Sequence, residues 1–241
     1  MTAFHRQRSA TELEPAKPGE GLDVPATRQE LVMALRPQGH IAEQYRRLRN
    51  SIQALNPDGA SRTVLLTSAV RREGKSVATL NLAIAMVEVP RARVLVIDGH
   101  VRHPALEGYL GLPRRQGLTD LLYGHLPLEQ AVRPTSVERL DLIGAGTMPD
   151  DPRLGLFVER TQSILHSLKR RYDYILIDAA PAMLVAEPSL MGTIADGILL
   201  VVRLGETPKH LVEETHQMLE TLGGNVLGLL ANGAHEADRA D

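Results

Sequence analysis

The stretch Ser68–Ser76, with the sequence SAVRREGKS, contains residues that could bind a nucleotide phosphate. In a phosphate-binding loop, successive backbone N–H groups and a helix N-terminus all point at one anion. The lysine of such a loop reaches the β- and γ-phosphates, and the hydroxyl that follows it ligates Mg²⁺. Lys75 and Ser76 can fill these two roles. The loop departs from the general pattern, since alanine replaces its first glycine and two arginines precede Glu73.

Two aspartates that follow apolar runs could complete such a site. Asp98 follows the run Arg93–Ile97, and Asp178 follows the run Tyr174–Ile177. Magnesium prefers oxygen ligands and keeps several waters, so one or two carboxylates suffice. Taken singly, such an aspartate is often only a helix N-cap, and Gly-Lys-Ser can begin a helix that binds nothing. The ordered combination favours a P-loop NTPase, with Asp178 as the Walker B carboxylate.

Short apolar runs alternate with amphipathic stretches and predict the elements that position these residues. The predicted strands are Thr63–Thr67, Arg93–Ile97, Leu140–Ile143, Tyr174–Ile177, Ile198–Val202 and Val226–Leu230. Helical stripes are formed by Leu154, Phe157, Val158, Thr161, Ile164, Leu165 and Leu168, and by Leu211, Val212, Thr215, Met218, Leu219 and Leu222. Continuous apolar strands alternating with helices predict an α/β fold with a doubly wound, mostly parallel sheet and helices on both faces. Ligands of such sheets bind beyond the carboxyl ends of the strands.

The composition of the chain predicts one domain with a flexible lead-in. Residues 1–38 contain four prolines among polar residues, so we expect a flexible N-terminal segment and ordered structure from near His40. A helix is predicted next, with one apolar stripe formed by Ile41, Tyr45, Leu48, Ile52 and Leu55. Residues 39–233 are expected to form a single domain, and residues 234–241 a short polar tail.

Charge and cysteine content exclude several classes of protein. The 241 residues carry a formal net charge of −2, which gives no reason to expect binding to nucleic acid or to a membrane surface. The absence of cysteine excludes disulfides and thiolate metal sites, and the nine histidines follow no metal-ligand spacing. The sequence has neither a run of about 18 apolar residues nor a secretory signal, so we expect a cytoplasmic protein.

From about Ile41 to Asn232 the sequence resembles the bacterial tyrosine kinases of capsule and exopolysaccharide synthesis. These kinases belong to the deviant-Walker branch of P-loop NTPases, with the Min- and Par-type ATPases. The matching segments are Glu43–Arg49 (E-x-x-R-x-x-R), Thr67–Ser76 (Walker A) with Asn81–Ala83, Val94–Pro104 (Walker A′), Gly117–Gly124, Gly144–Pro152, Tyr172–Pro181 (Walker B) and Gly228–Asn232.

The resemblance implies ATP and Mg²⁺ as cofactors and assigns roles to individual residues. The implied catalytic residues are Lys75, Asp98, His100 and Asp178. The implied nucleotide-binding residues are Arg72, Glu73, Gly74, Lys75, Ser76, Val77 and Asn232, the last as an adenine contact. The implied magnesium ligands are Ser76, Asp98 and Asp178.

The resemblance also implies partners. Family members form rings through the motif at Glu43, Arg46 and Arg49, although charges on one helix face are more often a solvated surface with i,i+3 and i,i+4 pairing. A homo-oligomer is therefore one expectation. The other is docking on the cytoplasmic tail of a separate membrane polysaccharide chain-length regulator, which would bring the protein to the inner face of the membrane.

Three departures from the family pattern bear on activity. Arg71-Arg72 replaces Pro-Gly, which costs about 1–2 kcal/mol if the glycine position has positive φ, although a guanidinium there could instead contact a phosphate. His100 replaces the second aspartate of Walker A′; neutral imidazole accepts a proton near pH 7 but is a poor magnesium ligand. The third departure is the tail, which carries no tyrosine.

Three functions follow from these observations. The first is an ATP-binding tyrosine-kinase-like protein that regulates exopolysaccharide or capsule synthesis and export. The second is a catalytically impaired, nucleotide-binding or nucleotide-free regulatory subunit of the same pathway. The third is a Min- or Par-type positioning ATPase, disfavoured because Ser68-Ala69-Val70 lacks the signature lysine of that class.

Overall fold

A computed structural model of the chain describes residues 30–148 and 158–233. Its strands are β1 (Arg62–Ser68), β2 (Val94–Asp98), β3 (Arg133–Pro134), β4 (Leu140–Ile143), β5 (Tyr174–Asp178), β6 (Gly197–Arg203) and β7 (Val226–Asn232). Its helices are α1 (Val32–Leu35), α2 (His40–Ala54), α3 (Lys75–Val87), α4 (Leu106–Leu110), α5 (Leu118–Tyr123), α6 (Leu128–Ala131), α7 (Val158–Lys169), α8 (Glu187–Gly192) and α9 (Lys209–Thr221).

The seven strands form one sheet in the order β3-β4-β2-β5-β1-β6-β7. Every pairing is parallel except that of β3 with β4, which is antiparallel. The predicted α/β fold class with a doubly wound, mostly parallel sheet is therefore confirmed. All six predicted strands form, and the two-residue edge strand β3 was not predicted because Arg133–Pro134 is not an apolar run.

Helices cover both faces of the sheet, because alternate residues of each strand point to opposite sides. Leu66, Val96 and Leu176 pack on one side with α1, α2 and α3. Leu65 and Ile177 pack on the other side with α5, α7 and α9. This two-sided burial explains why the strands read as unbroken apolar runs.

The apolar stripe predicted for the first long helix is shorter in the structure than in the sequence. Ile52 of α2 is buried, and Tyr45 and Leu48 pack against the core. Ile41 and Leu55, at the two ends of the stripe, are 53% and 60% exposed, because the core does not extend to either end of α2. The stripe residues Leu154 and Phe157 lie outside the described residues.

Ordered structure begins earlier than the sequence predicts. Leu31 and Met33 are almost fully buried, and Met33 N–H donates to Asn81 Oδ1 of α3 at 3.0 Å. The prediction that order starts near His40 is therefore wrong for residues 30–38, where a short apolar segment packs on α3. Residues 1–29 of the predicted lead-in and the predicted tail 234–241 lie outside the described residues.

None of the helices in the two described ranges is long and apolar enough to cross a membrane.

The sheet order brings three loops together at one edge. Strand β5 lies between β1 and β2, and all three run in the same direction. Their carboxyl ends carry Ser68, Asp98 and Asp178, so the loop before α3 and the two aspartates are neighbours in space.

Candidate functional site

The loop between β1 and α3 has the backbone geometry of an anion-binding turn. Gly74 precedes α3 with φ 83°, in the left-handed region, and a Cβ there would lie 2.0 Å from Asn232 Nδ2. Glycine is therefore required at this position both by its φ and by the close approach of Asn232. Arg72 also has positive φ, 66°, which costs a non-glycine residue about 1–2 kcal/mol.

Glu73 ties this loop to two other strand ends. Its carboxylate is buried and accepts hydrogen bonds from the Thr207 hydroxyl and, at 3.3 Å, from Val70 N–H. Its carbonyl accepts from Asn232 Nδ2 at 3.0 Å. Arg203 Nη1 donates to the neighbouring carbonyl of Arg72 at 3.4 Å. The loop is thus held by the segments that follow β6 and end β7.

The serine of the loop contacts the aspartate that was predicted to act with it, whereas the lysine contacts Ser68, which was not predicted. Lys75 is 6% exposed, and its Nζ donates to Ser68 Oγ at 2.9 Å. Burial lowers the pKa of Lys75, while Asp178 and Glu73 act in the opposite direction. Ser76 Oγ donates to Asp178 Oδ2 at 2.5 Å. The serine hydroxyl and the carboxylate therefore occupy adjacent positions, as two ligands of one cation would.

Asp98 and Asp178 lie opposite each other on adjacent strands and are both fully buried. Asp98 is well satisfied, since it accepts from the backbone N–H groups of His100, Ala105 and Leu106 at 3.2, 2.9 and 3.0 Å. Burial raises the pKa of Asp98 to about 6 in spite of these hydrogen bonds.

Asp178 has a different environment. Burial, and then the charge of Asp98, raises the pKa of Asp178 to about 7. Its Oδ2 accepts from Ser76, but its Oδ1 is buried with no hydrogen-bond partner among the described residues. A buried, unpaired carboxylate oxygen costs free energy unless a cation or a water satisfies it. This atom is therefore the clearest position for a magnesium ion or one of its water ligands.

His100 lies half-buried at the same edge of the sheet. Its ring contacts that of His103 edge-on, with centroids 5.4 Å apart. Burial, followed by the nearby charge of Lys75, lowers the pKa of His100 to about 4. The imidazole is therefore uncharged at neutral pH.

A cleft of about 580 Å³ opens above these groups. Seven of the predicted site residues line it: Arg72, Gly74, Lys75, Ser76, Val77, His100 and Asn232. Glu73, Asp98 and Asp178 lie beneath the cleft and are buried rather than exposed to it. Its volume suits a ligand of nucleotide size.

The residues of the cleft fit a magnesium–nucleotide complex. The N-terminus of α3 and the backbone of the loop can bind phosphate, and Asp178 Oδ1 can receive the ion. The described residues hold no group of three or more histidines or carboxylates that could hold a metal by themselves. Such a site suits magnesium, which is usually bound by one or two carboxylates together with phosphate oxygens and water.

Sequence reasoning missed one wall of the cleft. This wall is formed by Glu30, Val32, Ile41, Tyr45, Ala105 and Tyr109, and Arg203 was missed on the opposite side. The run Leu31–Leu35, LVMAL, was the available signal for the first part of this wall, but it is short and precedes a proline.

The E-x-x-R-x-x-R motif on α2 makes contacts within the chain. Arg46 donates to both carboxylate oxygens of Glu88, at 2.8 and 2.7 Å, and Arg49 donates to Glu88 Oε2 at 3.0 Å. Arg49 also donates to the Ala85 carbonyl at 3.0 Å, and Glu43 lies 3.6 Å from Arg46. The two arginines therefore join α2 to the carboxyl end of α3.

Sheet order, phosphate loop and strand-end aspartates define an α/β protein with the architecture of P-loop NTPases. No family model matches the chain. It is 31% identical over 197 residues to the tyrosine-protein kinase YwqD of Bacillus subtilis, which covers 82% of this chain and 83% of YwqD. By this similarity the chain belongs to the bacterial tyrosine kinase family.

Two solved structures support this assignment of the fold. The chimerical protein CapA2B2 superimposes with a TM-score of 0.80 and 25% identity, covering 89% of this chain and 96% of that one. The septum site-determining protein MinD of Pyrococcus horikoshii, solved with Mg-ADP, superimposes with a TM-score of 0.61 and 27% identity, covering 74% and 73%. CapA2B2 and MinD thus share this architecture with the chain.

Proposed function

We propose that the protein binds ATP and Mg²⁺ in this cleft and acts as a tyrosine-kinase-like regulator of exopolysaccharide or capsule polysaccharide synthesis and export. The observation that carries the proposal is the hydrogen bond of Ser76 to Asp178 beneath the N-terminus of α3. Asp178 Oδ1 has no hydrogen-bond partner among the residues that the structure describes. Membership of the bacterial tyrosine kinase family and the Mg-ADP bound by MinD support it.

Each residue of the site has a distinct part in this proposal. Backbone N–H groups of residues 72–77 and the ammonium of Lys75 bind the phosphates, for which Lys75 exchanges its hydrogen bond to Ser68 for one to a phosphate oxygen. Ser76 and Asp178 hold the ion, and Asn232 contacts the base. Asp98 acts mainly by fixing the 100–106 segment through three backbone hydrogen bonds, and contributes its charge to the ion.

Bound Mg-ATP would supply the phosphoryl group, which enzymes of this kind transfer largely by positioning and electrostatic stabilisation. His100 lines the cleft and is uncharged at neutral pH, but its pKa, lowered to about 4, makes it a weak base for the proton of a phenol.

A second candidate function, that of a catalytically impaired regulatory subunit, is favoured by two observations. An imidazole stands where the family has a carboxylate, and the left-handed backbone of Arg72 strains the phosphate loop. In this case ATP would bind without phosphoryl transfer. We hold the Min- or Par-type positioning ATPase to be the weakest candidate, for want of the signature lysine.

We further propose that the protein forms homo-oligomers through Glu43, Arg46 and Arg49 and docks on the cytoplasmic tail of a membrane chain-length regulator. Glu43 has a half-exposed side chain and is available to a neighbouring subunit. Arg46 and Arg49 would then contact that subunit while keeping their hydrogen bonds to Glu88.

The test is phosphotyrosine formation by the purified protein with Mg-ATP, alone and with an added tyrosine polymer or the partner's cytoplasmic tail. We expect phosphotyrosine with the wild type and with the control Lys209→Ala, an exposed lysine of α9, but none with Lys75→Ala. ATP binding with no phosphotyrosine on any substrate would refute the kinase and support the regulatory subunit. Failure to bind ATP would refute the kinase and the ATP-binding regulatory subunit, and would leave only a nucleotide-free regulatory subunit.

A further inference from the structure

We propose that strand β7 pairs with β7 of a second copy of this chain, antiparallel and about a two-fold axis, so that the two sheets join into one. Strand β7 lies at one edge of the sheet and, among the described strands, pairs only with β6. Its outer edge therefore presents backbone N–H and C=O groups to which no described strand is a partner. Such an edge binds an extended polypeptide strand, which defines the chemistry of its occupant.

The two edges of the sheet are built differently. Strand β3, at the other edge, has two residues and contains Pro134, which cannot donate a backbone hydrogen bond. Short strands, prolines and charged side chains are the usual means by which a protein keeps a sheet edge from pairing. Strand β7 has seven residues, VLGLLAN, with neither a proline nor a charge. Its register against β6 shifts only at its amino end, opposite Ile198 and Leu199, so most of its length is open to pairing.

The hydrogen bonds of β7 show which of its backbone groups face outwards. The Asn232 carbonyl accepts from the N–H of Leu204, on the β6 side, at 2.9 Å. The N–H and C=O of one strand residue point to the same side, and that side alternates along the strand. The backbone groups of Leu229 and Ala231 therefore face outwards. Leu229 is also the middle residue of β7.

A second copy of the chain is the occupant that this edge fits. In an antiparallel pair centred on the middle of β7, the Leu229 residues of the two copies face each other. The Leu229 side chain is 57% exposed, and in this pair each leucine covers the other. An uncharged strand then meets an uncharged strand of equal length. Two-fold symmetry is the commonest arrangement of soluble oligomers, and it requires a surface that is complementary to itself.

The apolar side chains at the two ends of β7 fit the same arrangement. Leu222 lies just before β7, and Leu204 is hydrogen-bonded to its last residue; these leucines are 51% and 42% exposed. Because the paired strands run in opposite directions, the Leu222 end of one copy lies beside the Leu204 end of the other. Exposed apolar side chains gathered at an unpaired edge are typical of a protein–protein interface.

Helix α9, which packs on β7, has ends of different charge. Lys209 and His210 begin the helix, and Glu220 lies near its carboxyl end; all three are exposed. The two copies of α9 lie on the same face of the joined sheet, because paired residues of antiparallel strands point to the same side. The Lys209 end of one α9 is then directed to the Glu220 end of the other. This charge pattern favours the antiparallel pairing of two copies.

The proposed pairing leaves the cleft of each copy accessible. The cleft lies at the carboxyl ends of the parallel strands, so antiparallel pairing places the two clefts at opposite ends of the joined sheet. The interface is also separate from Glu43, Arg46 and Arg49, which lie on α2. The inference therefore does not rest on the proposed function.

Cysteine cross-linking tests the contact itself. The chain contains no cysteine, so a single introduced cysteine gives no background. Facing Cα atoms of a hydrogen-bonded antiparallel pair lie about 5.5 Å apart, within the range of about 4.4–6.8 Å that a disulfide spans. We expect Leu229→Cys to form a covalent dimer on mild oxidation. The matched control Ala231→Cys should form none, because its two cysteines would lie four residues apart along the paired strands.

Light scattering after size-exclusion chromatography measures the assembly without a cross-link. We expect a dimer of the full chain, and Leu229→Lys should weaken it at least about tenfold by placing a charge on the sheet edge. Leu184→Lys is the matched control, since Leu184 is 50% exposed and follows β5, which two strands separate from β7. The control should remain a dimer, and urea unfolding should show that both variants are folded.

Hydrogen exchange reports on the backbone of β7. The N–H groups of Leu229 and Ala231 should exchange more slowly as the protein concentration rises in the wild type, and at a constant rate in Leu229→Lys. Slow exchange at every concentration would show that another part of the same chain covers this edge, and would overturn the proposal.

The outcomes also separate this inference from the other proposals. A monomer at all concentrations, or cross-linking of Ala231→Cys in place of Leu229→Cys, would overturn it. An oligomer that Leu229→Lys leaves intact and that Leu229→Cys does not cross-link would overturn it and leave the contact through α2. Failure to bind ATP would contradict the proposed function, whereas a cross-linked Leu229→Cys dimer would support the pairing of β7 in that case as well.

Discussion

At the scale of single residues, the site is dominated by one conflict between burial and charge. Asp98 and Asp178 are adjacent, fully buried carboxylates, and only Asp98 is well supplied with donors. Asp178 Oδ1, which has no hydrogen-bond partner in the described part of the chain, is therefore a destabilised group in the absence of a cation. Such a loss of folding stability is expected at a site that is preorganised to bind a metal ion.

The first prediction concerns the pH dependence of stability of the metal-free protein. The pKa of Asp178 is raised to about 7, so the folded protein binds this proton more tightly than the unfolded chain does. The resulting contribution to the free energy of unfolding is full below the unfolded pKa and is lost as pH rises through 7. Asp178→Asn should therefore stabilise the metal-free protein at pH 8 by on the order of 1 kcal/mol or more, and by less at pH 5. Urea unfolding in EDTA at both pH values measures this difference. A variant that is less stable than the wild type at pH 8 would contradict the account.

The second prediction concerns Gly74. Alanine there is expected to cost about 1–2 kcal/mol for positive φ and to displace Asn232, weakening ATP binding about tenfold or more. Gly59→Ala is the matched control, since Gly59 has φ 64° but no atom within 4 Å of an added Cβ. The control should lose similar backbone stability and no affinity. Equal loss of affinity in both variants would show that the contact of Gly74 with Asn232 does not matter to the ligand.

At the scale of elements, α2 and α3 are joined by a cluster of charges at the end remote from the phosphate loop. Glu88, just after α3, accepts hydrogen bonds from both Arg46 and Arg49 of α2. The side chain of Glu88 is 33% exposed, so the free energy of the cluster is moderated by solvent. Asn81 joins α1 to the same helix nearer its start, through Met33 N–H and the Glu30 carbonyl. Helix α3 is thus held along its length by the two helices before β1.

The third prediction concerns this charge cluster. The Arg46 guanidinium, as hydrogen-bond donor, lowers the pKa of Glu88. The contribution of the Glu88 carboxylate to the free energy of unfolding is therefore present above the unfolded pKa and is lost as pH falls through the folded pKa. Glu88→Gln should destabilise the protein by about 1 kcal/mol at pH 7, and the difference should shrink toward zero in acid. Glu213→Gln, in an exposed i,i+4 pair with Lys209, should change stability much less. A Glu88→Gln effect that is constant with pH would mean that packing rather than charge is lost.

At the scale of the whole molecule, the sequence predicts the layered architecture well but not the contacts between distant segments. Six strands could be predicted because each contains a continuous apolar run. Burial on both faces explains these runs except in the edge strand β7, where only Leu230 is buried. Strand β3 and helix α1 were not predicted, because two residues and four residues are too few to show a hydrophobic period. Arg46 is hydrogen-bonded to Glu88, which lies 42 positions away in the sequence, and no local spacing of residues predicts that pairing.

The same limit applies to the site. Lys75, Ser76 and Asp178 were predicted to act together because a loop and a strand end have local signatures. The structure brings Ser76 within hydrogen-bonding distance of Asp178, while Lys75 donates to Ser68. Tyr109 and Arg203 reach the cleft only through the packing of α4 and the position of β6 beside β1. Such residues become visible only when the topology is known.

The central claim is that this cleft binds ATP through a magnesium ion held at Asp178, and isothermal titration calorimetry tests it most directly. ATP should bind the wild type in Mg²⁺ and much more weakly in EDTA, and the exposed control Asp58→Asn should behave in the same way. Asp178→Asn should bind weakly in both conditions and lose the magnesium dependence. Equal affinity of the wild type in Mg²⁺ and in EDTA, or no binding in either, would contradict the account.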